Sequence, residues 1–224
     1  GLVTLNAELG RDEVADGWLE FGRERGHSLT WARFYVDLFY RDDVERAGEA
    51  LDEMAEEEEE GYRIARLRAA LALYEEDWTE ARRQYRLLYP GVGRASIPLF
   101  GAFLWDPLGL AYALDRLGEG EEAREIAREV IRTTERELPA DPDHLPRHRM
   151  AVAHLILGDT AAALDWLEEA VDVGYRDVRL VRTIPVLDPL RGHPRFQALL
   201  ERMEILLAEE RRRIEAEGWG LPPE

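Results

Sequence analysis

The sequence predicts an all-α fold made of helical hairpins that recur along the chain. A short polar or glycine-containing turn, with an alanine five residues after its centre, occurs five times in the 224 residues. Apolar residues on both sides of each turn follow the three- and four-residue spacing of a helix that buries one face. Successive alanines are 32, 34, 42 and 40 residues apart, and they are Ala15, Ala47, Ala81, Ala123 and Ala163.

The repeated alanine has a physical role in such a hairpin. Two antiparallel helices approach closely where one carries a small side chain, and larger apolar residues fill the space around that contact. The second unit shows the pattern best, because its apolar residues fall on one face of each helix. They are Trp31, Phe34, Tyr35 and Leu38 on the first helix, and Ala47, Leu51 and Met54 on the second.

The other units follow this pattern to different degrees. The first unit is incomplete, and Arg68 in the third stands where an apolar residue is expected, so that helix is either in this register or shifted by one residue. Loop residues 90–93 and 139–142 account for the two longer intervals. The fourth and fifth units are in register through Leu110, Ala111, Leu114, Ala127, Met150, Ala151, His154, Leu167 and Ala170.

The second unit resembles the tetratricopeptide repeat, whose pattern is W-x2-L-G-x2-Y followed by A-x3-F and whose period is about 34 residues. The resemblance extends over roughly residues 1–175 as a series of units. It implies a right-handed α-solenoid of about five helix-turn-helix units.

The segment 187–200 is similar to the closing segment of many bacterial tetratricopeptide proteins, including those joined to regulatory modules. An apolar stripe follows, which predicts a terminal helix that covers the last repeat and presents its polar face to water. We therefore expect a repeat array at residues 1–175, and capping helices with a tail at 176–224. The stripe consists of Phe196, Leu199, Leu200, Met203, Leu206 and Leu207.

The composition narrows the possible partners. The net charge of −18 would repel a phosphate backbone and gives no basic stripe for nucleic acid or anionic lipid. Cysteine is absent, which excludes disulfides and cysteine-ligated metals. No stretch of about 18 apolar residues occurs, so we expect a soluble chain with no membrane insertion, and a cytoplasmic location is favoured over a periplasmic or extracellular one.

The sequence offers little catalytic chemistry. No G-x-S-x-G, Walker or H-E-x-x-H motif is present, and the only serines are Ser28 and Ser96. His144 and His148, with Asp141 and Asp143, could present metal ligands on one helix, but a polar loop between repeats is the simpler interpretation. We predict a protein that is not an enzyme, with no cofactor and no metal.

In tetratricopeptide arrays the first helices of successive units line a concave face, and the resemblance implies a binding groove there. Carried over position by position, it selects aromatic, arginine and other side chains, and aromatic residues and arginine most often supply binding energy at interfaces. The third unit is withheld because of its register, although Arg63, Arg66 and Tyr74 lie near the equivalent positions. The candidates are Val36, Phe39, Tyr40, Trp105, Tyr112, Asp115, Arg116, His148 and Val152.

Three functions remain open at this point. The first is a non-catalytic scaffold that binds a peptide or partner helix in the groove, as part of a larger protein or complex. The second is a structural protein that assembles into a homo-oligomer or filament, and the third is an accessory domain of an enzyme or regulator. The run Glu56–Glu60 is either a solvated face or a docking site for a basic partner.

Overall fold

The computed structural model describes residues 1–57, 61–89, 107–138, 145–219 and 221–222. These residues form helices and turns, with no strand among them, which confirms the predicted all-α fold. A π-helical segment, Val36–Tyr40, extends α3, and a 3-10 segment, Pro185–Leu190, precedes α12. The helices are α1 Leu2–Glu8, α2 Asp12–Glu24, α3 Thr30–Tyr35, α4 Val44–Glu57, α5 Tyr62–Tyr74, α6 Trp78–Leu88, α7 Pro107–Arg116, α8 Gly120–Glu137, α9 Leu145–Ile156, α10 Thr160–Asp172, α11 Val178–Thr183 and α12 Pro194–Ala216.

The five predicted turns share a left-handed residue at their centre. Their central residues are all left-handed, with φ of 69° at Gly10, 56° at Asp42, 57° at Glu76, 83° at Gly118 and 80° at Gly158. Glycine adopts this conformation freely, whereas other L-residues lose roughly 1 kcal/mol or more. The centre of the turn is therefore left-handed in all five units, even where the sequence has no glycine.

The residue after the turn centre begins the second helix, and in three units it is an aspartate that caps the helix. Asp43, Asp77 and Asp159 each accept a hydrogen bond at 3.0 Å from the backbone N–H three residues further on. Such caps satisfy an amide that has no partner within the helix, and each contributes about 1 kcal/mol. These positions define where α4, α6 and α10 start.

Packing within each hairpin follows the alanine pattern. The helices pair as α1 with α2, α3 with α4, α5 with α6, α7 with α8, and α9 with α10. All five repeated alanines are fully buried. In the third unit Leu67 is buried and Arg68 is half-exposed, so that helix presents the residue before Arg68 to the core. Trp31 was expected on the packed face of its helix, but its side chain is partly exposed.

The contacts of the chain define two compact units. The first consists of Gly1–Glu59, Arg176–Ile184 and Ala198–Glu224. In this unit Arg211 Nε donates to the Leu9 carbonyl oxygen at 2.6 Å, and Arg11 donates to the Trp219 carbonyl oxygen at 3.0 Å. The C-terminal helix thus packs against the incomplete first repeat.

The second unit consists of Glu60–Tyr175 and Pro185–Gln197. Arg195, at the start of α12, donates to Asp165 at 2.7 Å and to Glu168 at 3.0 and 2.9 Å on α10. The residues predicted to cap the array are shared between the two units. Residues 185–197 belong to the second unit, and residues 176–184 and 198–224 belong to the first.

Candidate functional site

Three of the predicted groove residues lie together at the end of α7. Tyr112 packs edge-on against Trp78, the first residue of α6, with ring centroids 5.5 Å apart and planes at 82°. The Arg116 guanidinium lies 5.2 Å from the same Trp78 ring centroid, a cation–π distance. Tyr112 and Arg116 share a helix face because they are four residues apart. Together with Asp115 they form what we call the Tyr112 surface, to which Trp78 contributes without having been selected from the sequence.

The Tyr112 surface is accessible and carries both signs of charge. Tyr112 is half-buried, whereas Asp115 and Arg116 are exposed. Burial raises the pKa of the Tyr112 hydroxyl to about 12, with Arg116 lowering it and the carboxylates of Asp188, Glu76 and Asp115 raising it. The hydroxyl therefore stays protonated at neutral pH and can donate as well as accept a hydrogen bond.

The candidates in the second repeat are mostly buried. Val36 belongs to an apolar cluster with residues of α1 and α2, and Phe39 stacks edge-on against Tyr35 at 5.0 Å between ring centroids. Tyr40 is half-buried, and its hydroxyl donates to Asp177 Oδ2 at 3.2 Å. Val36 and Phe39 therefore offer no side-chain surface to a partner in this arrangement.

Two of the three remaining candidates are also buried. His148 is buried, with its ring centroid 5.2 Å from that of Tyr175, and Val152 is fully buried. Both support the core of the second unit. Trp105 lies outside the described residues. Of the predicted groove residues in the described ranges, Asp115 and Arg116 are exposed, Tyr40 and Tyr112 are half-buried, and the others are buried.

A polar cluster around α11, which the sequence did not predict, explains why the predicted groove positions of the second repeat serve internal packing. Arg179 donates to the Ala7 carbonyl oxygen and to Asp12 Oδ1, each at 2.8 Å, and also to the Tyr40 carbonyl oxygen. Thr183 donates to the Phe39 carbonyl oxygen at 3.1 Å. These bonds hold α11 against α1 and the π-helical segment.

Asp177 connects this cluster to α11. Its Oδ1 accepts the Leu180 N–H at 3.0 Å and so caps the helix, while Oδ2 accepts from Tyr40. Burial raises the pKa of Asp177 to about 7; the nearby Glu8 carboxylate raises it further, and the hydrogen bonds and Arg179 oppose the rise. Burial also raises the pKa of Glu8. The sequence shows an aspartate before a short apolar segment, a pattern typical of a helix cap, but it does not indicate the other partners of Asp177.

The other residues singled out from the sequence lie largely outside the described ranges. Asp141, Asp143 and His144 lie outside them, and so do residues 58–60 of the glutamate run. Within the described residues, no group of three or more His, Asp or Glu side chains is placed to hold a metal ion. None of the helices described there is both long and apolar enough to span a bilayer.

A family model for the tetratricopeptide repeat matches residues 108–145, which begin in α7 and include all of α8. Searches of curated proteins and of solved structures gave no significant match. Tetratricopeptide repeats generally mediate protein–protein interactions. The matched residues include Tyr112, Asp115 and Arg116, so the accessible surface lies in the unit where the family is recognised. The resemblance to the tetratricopeptide repeat is thus confirmed at the fourth unit, where residues 108–145 match the family model.

Proposed function

We propose that this chain is a non-catalytic interaction scaffold that binds a peptide or partner helix, and that the Tyr112 surface contacts this partner. The observation that carries the proposal is the grouping of an aromatic pair with an accessible arginine in the matched repeat. Tyrosine, tryptophan and arginine are the residues most often found as binding hot spots. Asp115 adds a charged acceptor at the edge.

The packing of α11 supports binding of a helix at the inner positions of a repeat. In the second repeat, Tyr40 occupies a predicted groove position, and it contacts a six-residue helix from a distant part of the sequence. That helix buries Val178, Leu180 and Val181, and Arg179 and Thr183 donate to backbone carbonyls. A partner helix with similar apolar and donor side chains fits the same mode of recognition.

The test begins with peptides selected from a displayed library on the immobilised chain, followed by calorimetric titration of the best binder. We expect Tyr112→Ala and Arg116→Ala each to weaken binding at least about tenfold, as for truncation of an interface anchor. Arg128→Ala, at an exposed arginine of α8 in the same unit, serves as the matched control. Equal affinity in all variants would remove the Tyr112 surface as the binding site.

Light scattering on the same sample separates the scaffold from a self-assembling protein. A monomer has a mass of 25.8 kDa. We expect this mass over a wide concentration range. A mass that increases with concentration would favour the homo-oligomer or filament, since end-to-end contacts form by mass action.

A further inference from the structure

A second accessible surface lies on the third repeat, between the start of α5 and the end of α6. It is a groove of about 320 Å³. Its floor is apolar, because Ile64 and Leu88 are buried there, and its edges expose Tyr62 at 49% and Leu87 at 65%. Arg68 and Arg83 also line it. We call this the α5–α6 groove, and it shares no lining residue with the Tyr112 surface.

The net charge of helices α5 and α6 is positive, whereas that of the whole chain is negative. Helices α5 and α6 contain six arginines and one glutamate, whereas the chain has 47 acidic and 29 basic residues. Arg82 pairs with Glu119, and Arg86 pairs with Glu122 at 2.7 Å, so these two contact the next repeat. Arg66 lies 5.6 Å from the Tyr62 ring centroid, which places another guanidinium near the groove edge. The groove is thus a basic region of an acidic protein.

Glu80, the one glutamate within α5 and α6, shows how this region holds a carboxylate. Arg83 donates two hydrogen bonds to Glu80, each at 2.6 Å, and Gln84 donates a third at 2.8 Å. These bonds lower the pKa of Glu80, the bond from Arg83 being the largest cause. Fork-like pairing of a guanidinium with a carboxylate is the strong form of this contact. Arg68, which also lowers the pKa of Glu80 by its charge, lines the groove beside it.

We propose that the α5–α6 groove docks an acidic segment of a partner protein, with an apolar side chain between Tyr62 and Leu87 and carboxylates facing Arg68 and Arg83. The exposed aliphatic side chain of Leu87 favours a peptide over nucleic acid, since a nucleic-acid base stacks on an aromatic ring such as Tyr62 and gains less from an aliphatic group. A basic partner would meet like charge at this groove. The proposal adds a second docking site with a stated partner chemistry, and it stands independently of the Tyr112 surface.

Labelled twelve-residue peptides test the proposal by fluorescence anisotropy on the full chain. The set has glutamates around a central Leu, Phe or Trp. Matched peptides carry Lys in place of Glu, or Ser in place of the central residue. We expect saturable binding by at least one acidic peptide, weakened at least about fivefold by either change and weakened by added salt. No binding by any acidic peptide, or equal binding by the Lys peptides, would overturn the proposal.

Variants locate the site. Leu87→Ser and the double change Arg68→Gln with Arg83→Gln are each expected to weaken binding at least about fivefold, and the double change should also reduce the salt dependence. Ile205→Ser alters an equally exposed residue, at 63%, on α12, and Arg128→Gln alters an exposed arginine on α8. Circular dichroism checks that each variant is folded.

The remaining outcomes are also decisive. Tyr112→Ala should leave the affinity unchanged, which separates this groove from the first surface. If Leu87→Ser and Ile205→Ser have the same effect, the peptide binds elsewhere and the proposal fails. If a single-stranded oligonucleotide displaces the peptide and its binding is lost in the arginine variant but kept in Leu87→Ser, the groove is a nucleic-acid site instead.

Discussion

The second and fourth repeats place equivalent residues in opposite environments. In the second, Val36 and Phe39 are buried and Tyr40 is bonded to Asp177 before α11. In the fourth, Tyr112 is half-buried against Trp78, and Arg116 is exposed above it. The same positions of one repeat pattern therefore serve internal packing in one unit and an accessible surface in another.

The backbone at the end of α3 explains part of this difference. Val36–Tyr40 is π-helical, and Arg41 N–H bonds to the Val36 carbonyl oxygen at 3.0 Å. The Phe39 and Tyr40 carbonyls lie in the last turn of this segment, where a helix leaves its carbonyls without an internal donor, and Thr183 and Arg179 donate to them. In the fourth repeat α7 stays α-helical to Arg116. A local change of helix type thus accompanies the docking of a distant segment.

Removing the main donor of α11 tests this comparison most strongly. Arg179→Ala deletes the bonds to Ala7, Asp12 and Tyr40, leaving polar groups of the interface without their donor. We expect a loss of about 2–4 kcal/mol in the free energy of unfolding, measured by urea denaturation. Arg212→Ala, at an exposed arginine whose Nε bonds within its own helix, should change stability by less than about 0.5 kcal/mol. A small loss in Arg179→Ala would mean that the apolar contacts and the bonds of Thr183 and Asp177 hold α11 without Arg179.

The buried carboxyl group of Asp177 makes the stability of the second repeat depend on pH. Because the pKa of Asp177 is about 7, the folded chain retains a proton between about pH 4 and 7 that an unfolded aspartate has lost. Stability should therefore fall as pH rises through this range, by up to about 1.4 kcal/mol per pH unit.

Asp177→Asn keeps the oxygen that caps α11 and removes the titrating carboxyl group, so stability should fall less steeply as the pH rises. The raised pKa of Glu8 would account for the decrease that remains. Thermal unfolding at a series of pH values measures this. Asp159→Asn changes a cap of the same geometry on α10 and measures what this substitution does at a helix cap by itself. A profile unchanged by Asp177→Asn would show that Asp177 does not carry the dependence.

A pair of hydroxyl deletions compares the two tyrosines directly. Tyr40→Phe removes the donor to Asp177 and should cost about 1–2 kcal/mol of stability, because a buried carboxylate loses a partner. Tyr112→Phe keeps the ring against Trp78 and should cost less than about 0.5 kcal/mol. Urea denaturation of both variants gives the two values. The reverse order would contradict the assignment of Tyr40 to packing and Tyr112 to the surface.

The sequence predicts those features that depend on local spacing. The turns and buried alanines follow from a period that each hairpin repeats, and helical periodicity alone places Tyr112 and Arg116 on one face. The docking of α11 depends on contacts such as Tyr40 with Asp177, 137 residues apart, for which no local pattern exists. Trp78 was missed because the groove candidates were taken from first helices, and Trp78 begins a second helix. The peptide-binding groove remains a proposal.

Turn chemistry gives the smallest contrast between the two repeats. Gly118 in the fourth has φ of 83° and open space where a side-chain carbon would be added. Gly118→Ala should therefore cost about 1 kcal/mol from backbone strain alone. Asp42 takes the same position in the second repeat with φ of 56°. Asp42→Gly should raise stability by at most about 0.5 kcal/mol, since the freer unfolded chain offsets much of the relieved strain.

Asp42→Ala completes the comparison at this turn. Aspartate tolerates the left-handed region better than alanine does, so this variant should be less stable than wild type, while Asp42→Gly should be more stable. Melting temperatures of the three proteins, taken at one concentration and pH, give the order. If Asp42→Ala and Asp42→Gly melted together, the left-handed geometry would not limit the second turn, and the five turns would not be energetically equivalent.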